Sequence, residues 1–595
     1  MVMYVAVRVH DMVLDLIRYL SYKENFVTIS NDDEGTSPHQ NRVRRLAHQN
    51  RTMKQTQQDD HMDMAQVRTL VACDCDIQSW VLHPSFKLMR VLHLEGCRPP
   101  RRDWHGLKNL GILLHLRYLG LQNSSKAPWK FTYYELPKEI GKLKFLQILD
   151  LEASSIRVLP SSVCQLTQLV CLRGCRDTCA PDGSFLRTVI SLEYLRIRID
   201  NLDEESQRQI IKDVSNQSEI RVLCMTNESE IPKEFGGLRN LRTLYGFRVH
   251  MDMDGGWCSL EEIGPLSKLW RLTLHGLENV SASSFAETAR ISSKEHPEYL
   301  KLQWSRSGCM ELRDEIQKQQ QQVAEEVLEK LCPPPHIHHL NIKGYFGRTL
   351  PNWMMVVEAF SFTSLIILKL KDLPCCTKLP DSLCPLPSLK LLVIKDAPAI
   401  KSVGSEFQAS TSAAFPNLTH LTLEGLCEWE EWDWEEQTVD VTAGTMAMHA
   451  LGYLLIENCK LSCFPPGLAN NKRHALRELG LRDLNNLTSV ENFPSVVELD
   501  VFDCPKLKRI SGLSRLHKIR IARCPKLEVL QGVPSLDSLL LHDTTMETLP
   551  GYLACVNPRF LRLTCSKELH DSIISGSSSE CEKINHITKH DIDYN

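Results

Sequence analysis

Cysteine and histidine are the residues of this chain best suited to metal or thiol chemistry. The 595 residues include 22 cysteines and 22 histidines, and the closely spaced ones are Cys73 with Cys75, Cys375 with Cys376, and His336, His338 and His339. None of the cysteines has the paired C-x-x-C spacing of a zinc site. The histidines flank Ile337 and Leu340, where solvent-facing strand residues are expected. The sequence therefore predicts no metal centre.

Catalytic and phosphate-binding motifs are the next possibility. H-E-x-x-H, G-x-S-x-G, kinase signatures and the phosphate-binding loop G-x-x-x-x-G-K-[ST] do not occur in the chain. The 69 Lys and Arg residues nearly balance 73 Asp and Glu, and the net charge of −4 gives no general attraction for nucleic acid or an anionic membrane. We therefore predict a chain that is not an enzyme and binds neither a cofactor nor nucleic acid.

A repeated leucine pattern organises most of the chain. L-x-x-L-x-L is clearest from Leu146 to Leu151 and recurs in about twenty units, roughly 20 to 40 residues apart. The x-L-x-L-x part has a period of two, so it forms a short strand with inward leucines and outward intervening residues. One unit cannot bury its own leucines, whereas stacked units can. The pattern predicts an α/β leucine-rich-repeat solenoid, a horseshoe with a parallel concave sheet.

Four cysteines share one place in this repeat, two residues beyond the strand. At this place the repeat carries Asn or Cys, which turns into the core and bonds the backbone of the turn. We predict buried structural thiols at these positions, which are Cys97, Cys459, Cys504 and Cys524.

The outward strand positions are mostly basic in the middle of the array, from Arg271 and His275 through Lys301, and mixed in charge later. We interpret a group on neighbouring strands as a ligand-binding ridge, which consists of Lys343, Lys369, Lys371 and Lys395. The alternative is an ordinary solvated charged face. A second interruption, Glu428–Glu436, is rich in acid and tryptophan. We interpret it as an insertion whose Trp429 and Trp432 cover a repeat edge, with docking of a basic partner as the alternative.

The segments before and between the repeats carry a family resemblance. Residues 1–40 lack the repeat, and a helical face follows Asp11. The characteristic segments are Val9–Val13, Gly264–Leu266, His275–Val280, Leu350–Trp353 and Pro387–Leu392. Together they resemble the plant nucleotide-binding leucine-rich-repeat (NB-LRR) disease resistance proteins of the coiled-coil, non-Toll class. The resemblance implies a winged-helix remnant, which occupies residues 1–40 together with a linker. The leucine pattern predicts the array over 41–570, and the composition predicts a polar tail over 571–595.

The family resemblance implies an intracellular immune receptor that recognises a pathogen effector or a modified host protein. In the family the Met-His-Asp histidine, here His10, contacts ADP, and the array also contacts the nucleotide-binding domain. Because no phosphate-binding loop is present, we expect a truncated or split member that binds no ADP or ATP itself. The alternatives are a generic interaction scaffold and an ADP/ATP-dependent switch whose nucleotide-binding domain is supplied elsewhere.

The location of the protein is predicted from its apolar segments. The N-terminus lacks a signal peptide's basic start and apolar run, and no stretch reaches the roughly 18 apolar residues of a membrane span. We therefore expect a cytoplasmic protein. Seven N-x-[ST] sequons, including those at Asn123 and Asn417, would suit an extracellular repeat receptor instead.

Overall fold

The chain is represented by a computed structural model. It describes residues 28–30, 44–49, 64–73, 85–97, 105–122, 136–152, 154, 156–174, 185–197, 203–225, 237–249, 259–305, 314–355, 362–380, 383–403, 415–432, 448–465, 468, 475–575 and 579–594.

The chain separates into two compact units. Unit 1 consists of Met1–Arg248, Met253–Cys258 and Pro265–Leu269. Unit 2 consists of Val249–Asp252, Ser259–Gly264 and Trp270–Asn595.

Unit 1 contains one ladder of short strands. Within its described residues, each strand pairs in parallel with the next along the chain. The strands are β1 (Thr28–Ser30), β2 (Arg45–Gln49), β3 (Thr69–Cys73), β4 (Val91–Glu95), β5 (Tyr118–Gln122), β6 (Ile148–Asp150), β7 (Cys171–Arg173), β8 (Tyr194–Ile197), β9 (Val222–Met225) and β10 (Thr243–Arg248).

Unit 2 contains a second parallel ladder and two smaller ones. The main ladder consists of β11 (Arg271–His275), β12 (Tyr299–Gln303), β13 (His339–Lys343), β14 (Ile367–Lys371), β15 (Leu391–Lys395), β17 (His420–Glu424), β19 (Tyr453–Cys459), β20 (Glu478–Leu484), β22 (Glu498–Phe502), β24 (Lys518–Ala522), β26 (Ser538–His542), β27 (Phe560–Cys565) and β28 (His590–Tyr594). β16 (Ser402–Val403) pairs with β18 (Glu431–Trp432), and β21 (Ser489–Glu491), β23 (Arg509–Ser511) and β25 (Val529–Gln531) form the other small ladder.

Helices are few and short in the described part of the chain. The α-helices are α1 (Glu204–Ser215), α2 (Ser283–Thr288), α3 (Asp314–Lys330), α4 (Asn352–Met355), α5 (Lys567–Ile574) and α6 (Ser579–Glu582). Short 3-10 helices precede several strands, at Met64–Gln66, His105–Ile112, Lys138–Lys142, Ser161–Gln165, Phe185–Arg187, Leu260–Ile263, Leu277–Asn279 and Gly551–Cys555.

The alternation predicted from the leucines is confirmed. In β13 and β14 buried residues alternate with half-buried ones along the whole strand. Leu149 in β6 and Leu392 in β15 are both 0% exposed. Because the period is two, the residues between these leucines must lie on the opposite face of the sheet, where they are available for recognition.

The repeated cysteines also take the predicted position. Cys459, Cys504 and Cys524 are buried and Cys97 is half-buried. Each thiol donates a hydrogen bond to the carbonyl two residues earlier, over 3.2 to 3.4 Å. Burial raises the pKa of the Cys459 thiol to about 12, so this thiol stays protonated at neutral pH.

The ladders extend beyond the range predicted from the leucine pattern. Strand β1, within residues 1–40, pairs with β2, and β28, within the predicted polar tail, pairs with β27. The described part of the tail is folded because Ile584 and Ile587 are each only 2% exposed, and this burial outweighs its polar composition. Residues 1–27 lie outside the described residues, so the winged-helix remnant stays a prediction.

Candidate functional site

Strands β12 to β15 place lysines side by side on the face of the sheet opposite the buried leucines. Lys343, Lys371 and Lys395 are register partners on three successive strands. Two residues before Lys343 on the same strand is Asn341, and its register partners are Lys301 and Lys369 on the two neighbouring strands. Neighbouring strands are about 4.8 Å apart, so these side chains emerge close together. The sheet therefore brings all four predicted ridge lysines onto one surface and adds Lys301.

The lysines differ in how their charge is balanced. Lys395 forms an ion pair with Glu424, its register partner on β17. Among the described residues, the other three predicted lysines and Lys301 have no carboxylate within ion-pair distance. We call these four unpaired residues the lysine cluster, which consists of Lys301, Lys343, Lys369 and Lys371. The cluster is a local concentration of positive charge on a chain whose net charge is −4.

Burial and mutual repulsion affect the lysine cluster. Burial, followed by the charges of Lys343 and Lys371, lowers the pKa of Lys301 to about 8. Burial also lowers the pKa of Lys371, followed by the charges of Lys369 and its other lysine neighbours. Removing an ammonium group from water and placing it beside like charges both disfavour the charged form. An anion bound here would relieve that repulsion.

Farther along unit 2, the same sheet face carries charges that neutralise one another. Arg520 binds Asp500 through Nε and one carboxylate oxygen at 2.5 Å and through a second nitrogen at 2.6 Å. Similar pairs join Arg482 to Glu457 at 3.8 Å, Lys518 to Glu498 at 3.5 Å and Arg562 to Asp591 at 2.8 Å. The mixed charges predicted for these later strands are therefore largely paired within the sheet.

The basic stretch does not extend as far as the sequence predicts. His275 is expected to face outward with Arg271, but it is only 5% exposed. Thr273, between them on β11, is 1% exposed. The prediction that His275 is exposed is wrong, because both faces of β11 are covered beyond Arg271. The alternation of leucines identifies the inward face of a strand but does not show whether the other face is exposed. The open basic surface begins at β12.

The tryptophans of the acidic insertion are part of the folded structure. Trp429 is 0% exposed, and its Nε1 donates a hydrogen bond to the carbonyl of Glu431 at 2.7 Å. Trp432 packs against it edge-on, with ring centroids 5.3 Å apart. This agrees with the interpretation that the two rings cover a repeat edge. Residues 433–436 lie outside the described residues.

The other histidines singled out in the sequence are His10, His338 and His339. His10 lies outside the described residues. His338 lies 3.6 Å from a carboxylate oxygen of Glu298, and burial lowers the pKa of His339. Within the part of the chain that the structure describes, no three His, Cys, Asp or Glu side chains are grouped to hold a metal ion.

Comparison with known proteins agrees with the repeat structure. Residues 66–282 match the family described as a leucine-rich repeat region, and residues 260–397 match the R13L1/DRL21 leucine-rich repeats. The curated relatives are plant disease resistance proteins. The chain is a leucine-rich-repeat relative of the plant NB-LRR resistance proteins.

Three relatives illustrate the extent of this likeness. The Arabidopsis thaliana putative disease resistance RPP13-like protein 1 is 32% identical over 181 residues, which are 29% of this chain and 17% of the relative. The rice (Oryza sativa subsp. japonica) disease resistance protein Pik-2 is 26% identical over 268 residues, 44% of this chain and 23% of the relative. Rice PIK6-NP is 25% identical over 413 residues, 68% of this chain and 34% of the relative.

The chain thus matches only a minor part of the length of each of these relatives. The whole lysine cluster lies within the second family match, which ends at residue 397 and covers strands β12 to β15. In the described part of the chain, no helix is both long and apolar enough to cross a membrane.

Proposed function

We propose that this chain is the recognition part of a cytoplasmic plant immune receptor, and that its sheet face binds a pathogen effector or a host protein modified by one. The single observation that carries the proposal is the lysine cluster: four half-buried cations without a carboxylate partner among the described residues, on the open face of a leucine-rich-repeat sheet. In longer relatives the same array would also contact the nucleotide-binding domain. Recognition of this kind needs no catalytic group.

The physical basis of binding is relief of charge crowding. Strands are about 4.8 Å apart, which is less than the Debye length of about 8 Å in physiological salt, so the ammonium groups repel one another when no ligand is bound. An acidic partner surface replaces this repulsion with attraction and accelerates encounter. Binding should therefore weaken as salt concentration rises.

Comparative capture tests the proposed function. The purified full chain is immobilised and exposed to extracts of infected and of uninfected plant tissue, and retained proteins are identified by mass spectrometry. We expect at least one acidic protein, or modified form of a protein, to be retained from infected tissue alone. Retention of the same proteins from both tissues would instead support a generic scaffold without an immune role.

Charge reversal tests the surface that does the binding. We expect the combined change of Lys343, Lys369, Lys371 and Lys395 to Glu to abolish capture of the infection-specific protein, because it replaces attraction with repulsion. Circular dichroism should show an intact fold, since these side chains lie on the half-exposed face. The triple variant that keeps Lys395 should lose capture as the quadruple variant does. It avoids placing a new glutamate beside Glu424, the register partner of Lys395.

A control variant separates this effect from net charge. Lys508, Lys526 and Lys589 are exposed and lie outside the cluster. Changing these three to Glu alters net charge as much as the triple variant does, and we expect capture to persist. If both triple variants capture the partner as the wild type does, the predicted ridge is only a solvated charged face.

Nucleotide binding distinguishes the proposed function from an ADP/ATP switch. The sequence contains no loop of the phosphate-binding type, whose backbone amides and lysine hold nucleotide phosphates. We expect titration calorimetry of ADP into the purified chain to give no heat of binding at micromolar concentration. A saturable ADP signal would favour the switch, and loss of that signal in His10→Ala would assign the contact to the predicted histidine.

A further inference from the structure

The lysine cluster surrounds a polar side chain in an unusual state. Asn341 on β13 lies between its register partners Lys301 on β12 and Lys369 on β14. Its Oδ1 atom is buried and accepts no hydrogen bond within the described part of the chain. Lys343 is two residues farther along β13, beside Lys371. Four ammonium groups therefore emerge around one amide whose oxygen lacks a donor.

We infer that the lysine cluster with Asn341 is a binding site for phosphoryl groups carried by a protein partner. This inference rests on the proposed function and specifies its ligand: a phosphorylated segment instead of an ordinary acidic one. A bound phosphoryl group would draw the side chains of Lys301 and Lys369 together over Asn341. Their ammonium groups would then supply the donor that the buried Oδ1 lacks.

The density of charge favours a phosphoryl group over carboxylates. An extended acidic segment presents same-face carboxylates about 6.8 Å apart, each with one negative charge. The lysines on neighbouring strands emerge only about 4.8 Å apart. A phosphoserine carries about −1.5 to −2 charges and three acceptor oxygens at one point. One phosphoryl group can therefore bridge lysines on two strands. A single carboxylate carries too little charge to neutralise two such lysines.

The type of cation is compatible with this ligand. The lysine cluster contains no arginine. An ammonium group is a compact point charge with three donors, and lysine is a common ligand of phosphate groups in proteins.

The state of Lys301 and Lys371 supports this inference. Both have a pKa lowered by burial and by neighbouring lysines. A dianion at this position restores the favourable charged form of both side chains. The energy lost to crowding in the free protein is thereby recovered in the complex.

The test uses fluorescent peptide pools and the purified full chain. Each peptide has randomised flanks of about twelve residues in total around two central positions, i and i+2. These two positions are both phosphoserine in one pool, both glutamate in the second and both serine in the third. They lie about 6.8 Å apart in an extended peptide, as do Lys369 and Lys371 on one strand. Binding is followed by fluorescence anisotropy. We expect the phosphoserine pool to bind at least about tenfold more tightly than the glutamate pool, because phosphate forms the stronger charge-assisted hydrogen bonds.

Two variants show whether this binding occurs at the cluster. Lys343→Gln with Lys371→Gln should weaken binding of the phosphoserine pool by about tenfold or more, since two charge-assisted hydrogen bonds are lost. Lys508→Gln with Lys526→Gln removes the same net charge from exposed positions elsewhere. The affinity of this variant for the phosphoserine pool should stay within about twofold of the wild type. Asn341→Leu should also weaken binding of the phosphoserine pool more than binding of the glutamate pool.

Three outcomes would overturn the inference. Equal affinity for the phosphoserine and glutamate pools would show a general acidic surface. Equal losses in both lysine double variants would show a nonspecific charge effect. Tight binding of inositol hexakisphosphate with no binding of the phosphoserine pool would make the ligand a small polyphosphate. In each case the proposed function is judged separately, by the infection-specific and lysine-dependent capture described above.

Discussion

Leu392→Asp is expected to unfold the part of unit 2 that carries the lysine cluster. Leu392 is 0% exposed and stacks in register between Leu368 and Leu421 on the neighbouring strands. Removing a buried leucine side chain costs about 2 to 5 kcal/mol, and burying an unpaired carboxylate adds several more. Because each repeat is stabilised by its neighbours, the damage should spread to the adjacent strands.

Urea unfolding followed by circular dichroism, together with limited proteolysis, measures this effect. We expect a loss of at least about 5 kcal/mol and new cleavage near β14 to β17. Lys390→Asp is the matched control, because Lys390 lies two residues earlier and is exposed. Its change should stay within about 0.5 kcal/mol. Equal stability of the two variants would show that Leu392 is not in the core.

Gly344→Ala is expected to give the second large loss of stability. Gly344 follows the last residue of β13 and has φ of +74°, a left-handed conformation. A Cβ atom built there would lie 2.2 Å from the backbone oxygen of Trp304. The left-handed conformation costs a residue with a side chain about 1 to 2 kcal/mol, and the overlap adds about 1 to 3 kcal/mol by forcing the backbone apart.

Gly551 provides the matched control for this substitution. Apart from its own local backbone and chain neighbours, no heavy atom lies within 4 Å of the Cβ position at Gly551. Gly551→Ala should therefore be neutral, or stabilise the chain by up to about 1 kcal/mol through the unfolded state. We expect the thermal midpoint to fall for Gly344→Ala alone. Similar midpoints for the two alanine variants would contradict the left-handed turn and its contact with Trp304.

The parts of the structure that follow local patterning could be predicted from the sequence. Inward leucines, outward lysines and core-facing cysteines all follow from the period of two and the repeat spacing. The left-handed turn after the strand has a sequence signal of its own, which is not part of the leucine pattern. The residue after many strands of unit 2 is Gly or Asp, and the ones with positive φ include Gly344, Asp372, Asp396, Gly425 and Asp503. These residue types tolerate that conformation best.

Features that depend on register across insertions could not be predicted. The Lys395–Glu424 ion pair joins β15 to β17, and the repeat between these strands is longer than the one between β14 and β15. The sequence alone therefore did not separate Lys395 from the unpaired lysines. The burial of His275 depends on what covers both faces of β11, and the pairing of β28 with β27 depends on Ile584 and Ile587 offsetting a polar tail.

The affinity of the infection-specific protein for wild type and charge-reversed chains tests the central claim most directly. Purified partner is titrated into the wild type, the quadruple Lys343, Lys369, Lys371 and Lys395 to Glu variant, the triple variant that keeps Lys395, and the charge-matched control of that triple variant, which is Lys508, Lys526 and Lys589 to Glu. The titrations are done at about 50 and about 300 mM salt. We predict that wild type and control bind alike and more weakly at high salt, and that the quadruple variant loses about a hundredfold or more in affinity. Undiminished affinity and an unchanged salt response in a folded quadruple variant would contradict recognition through this surface.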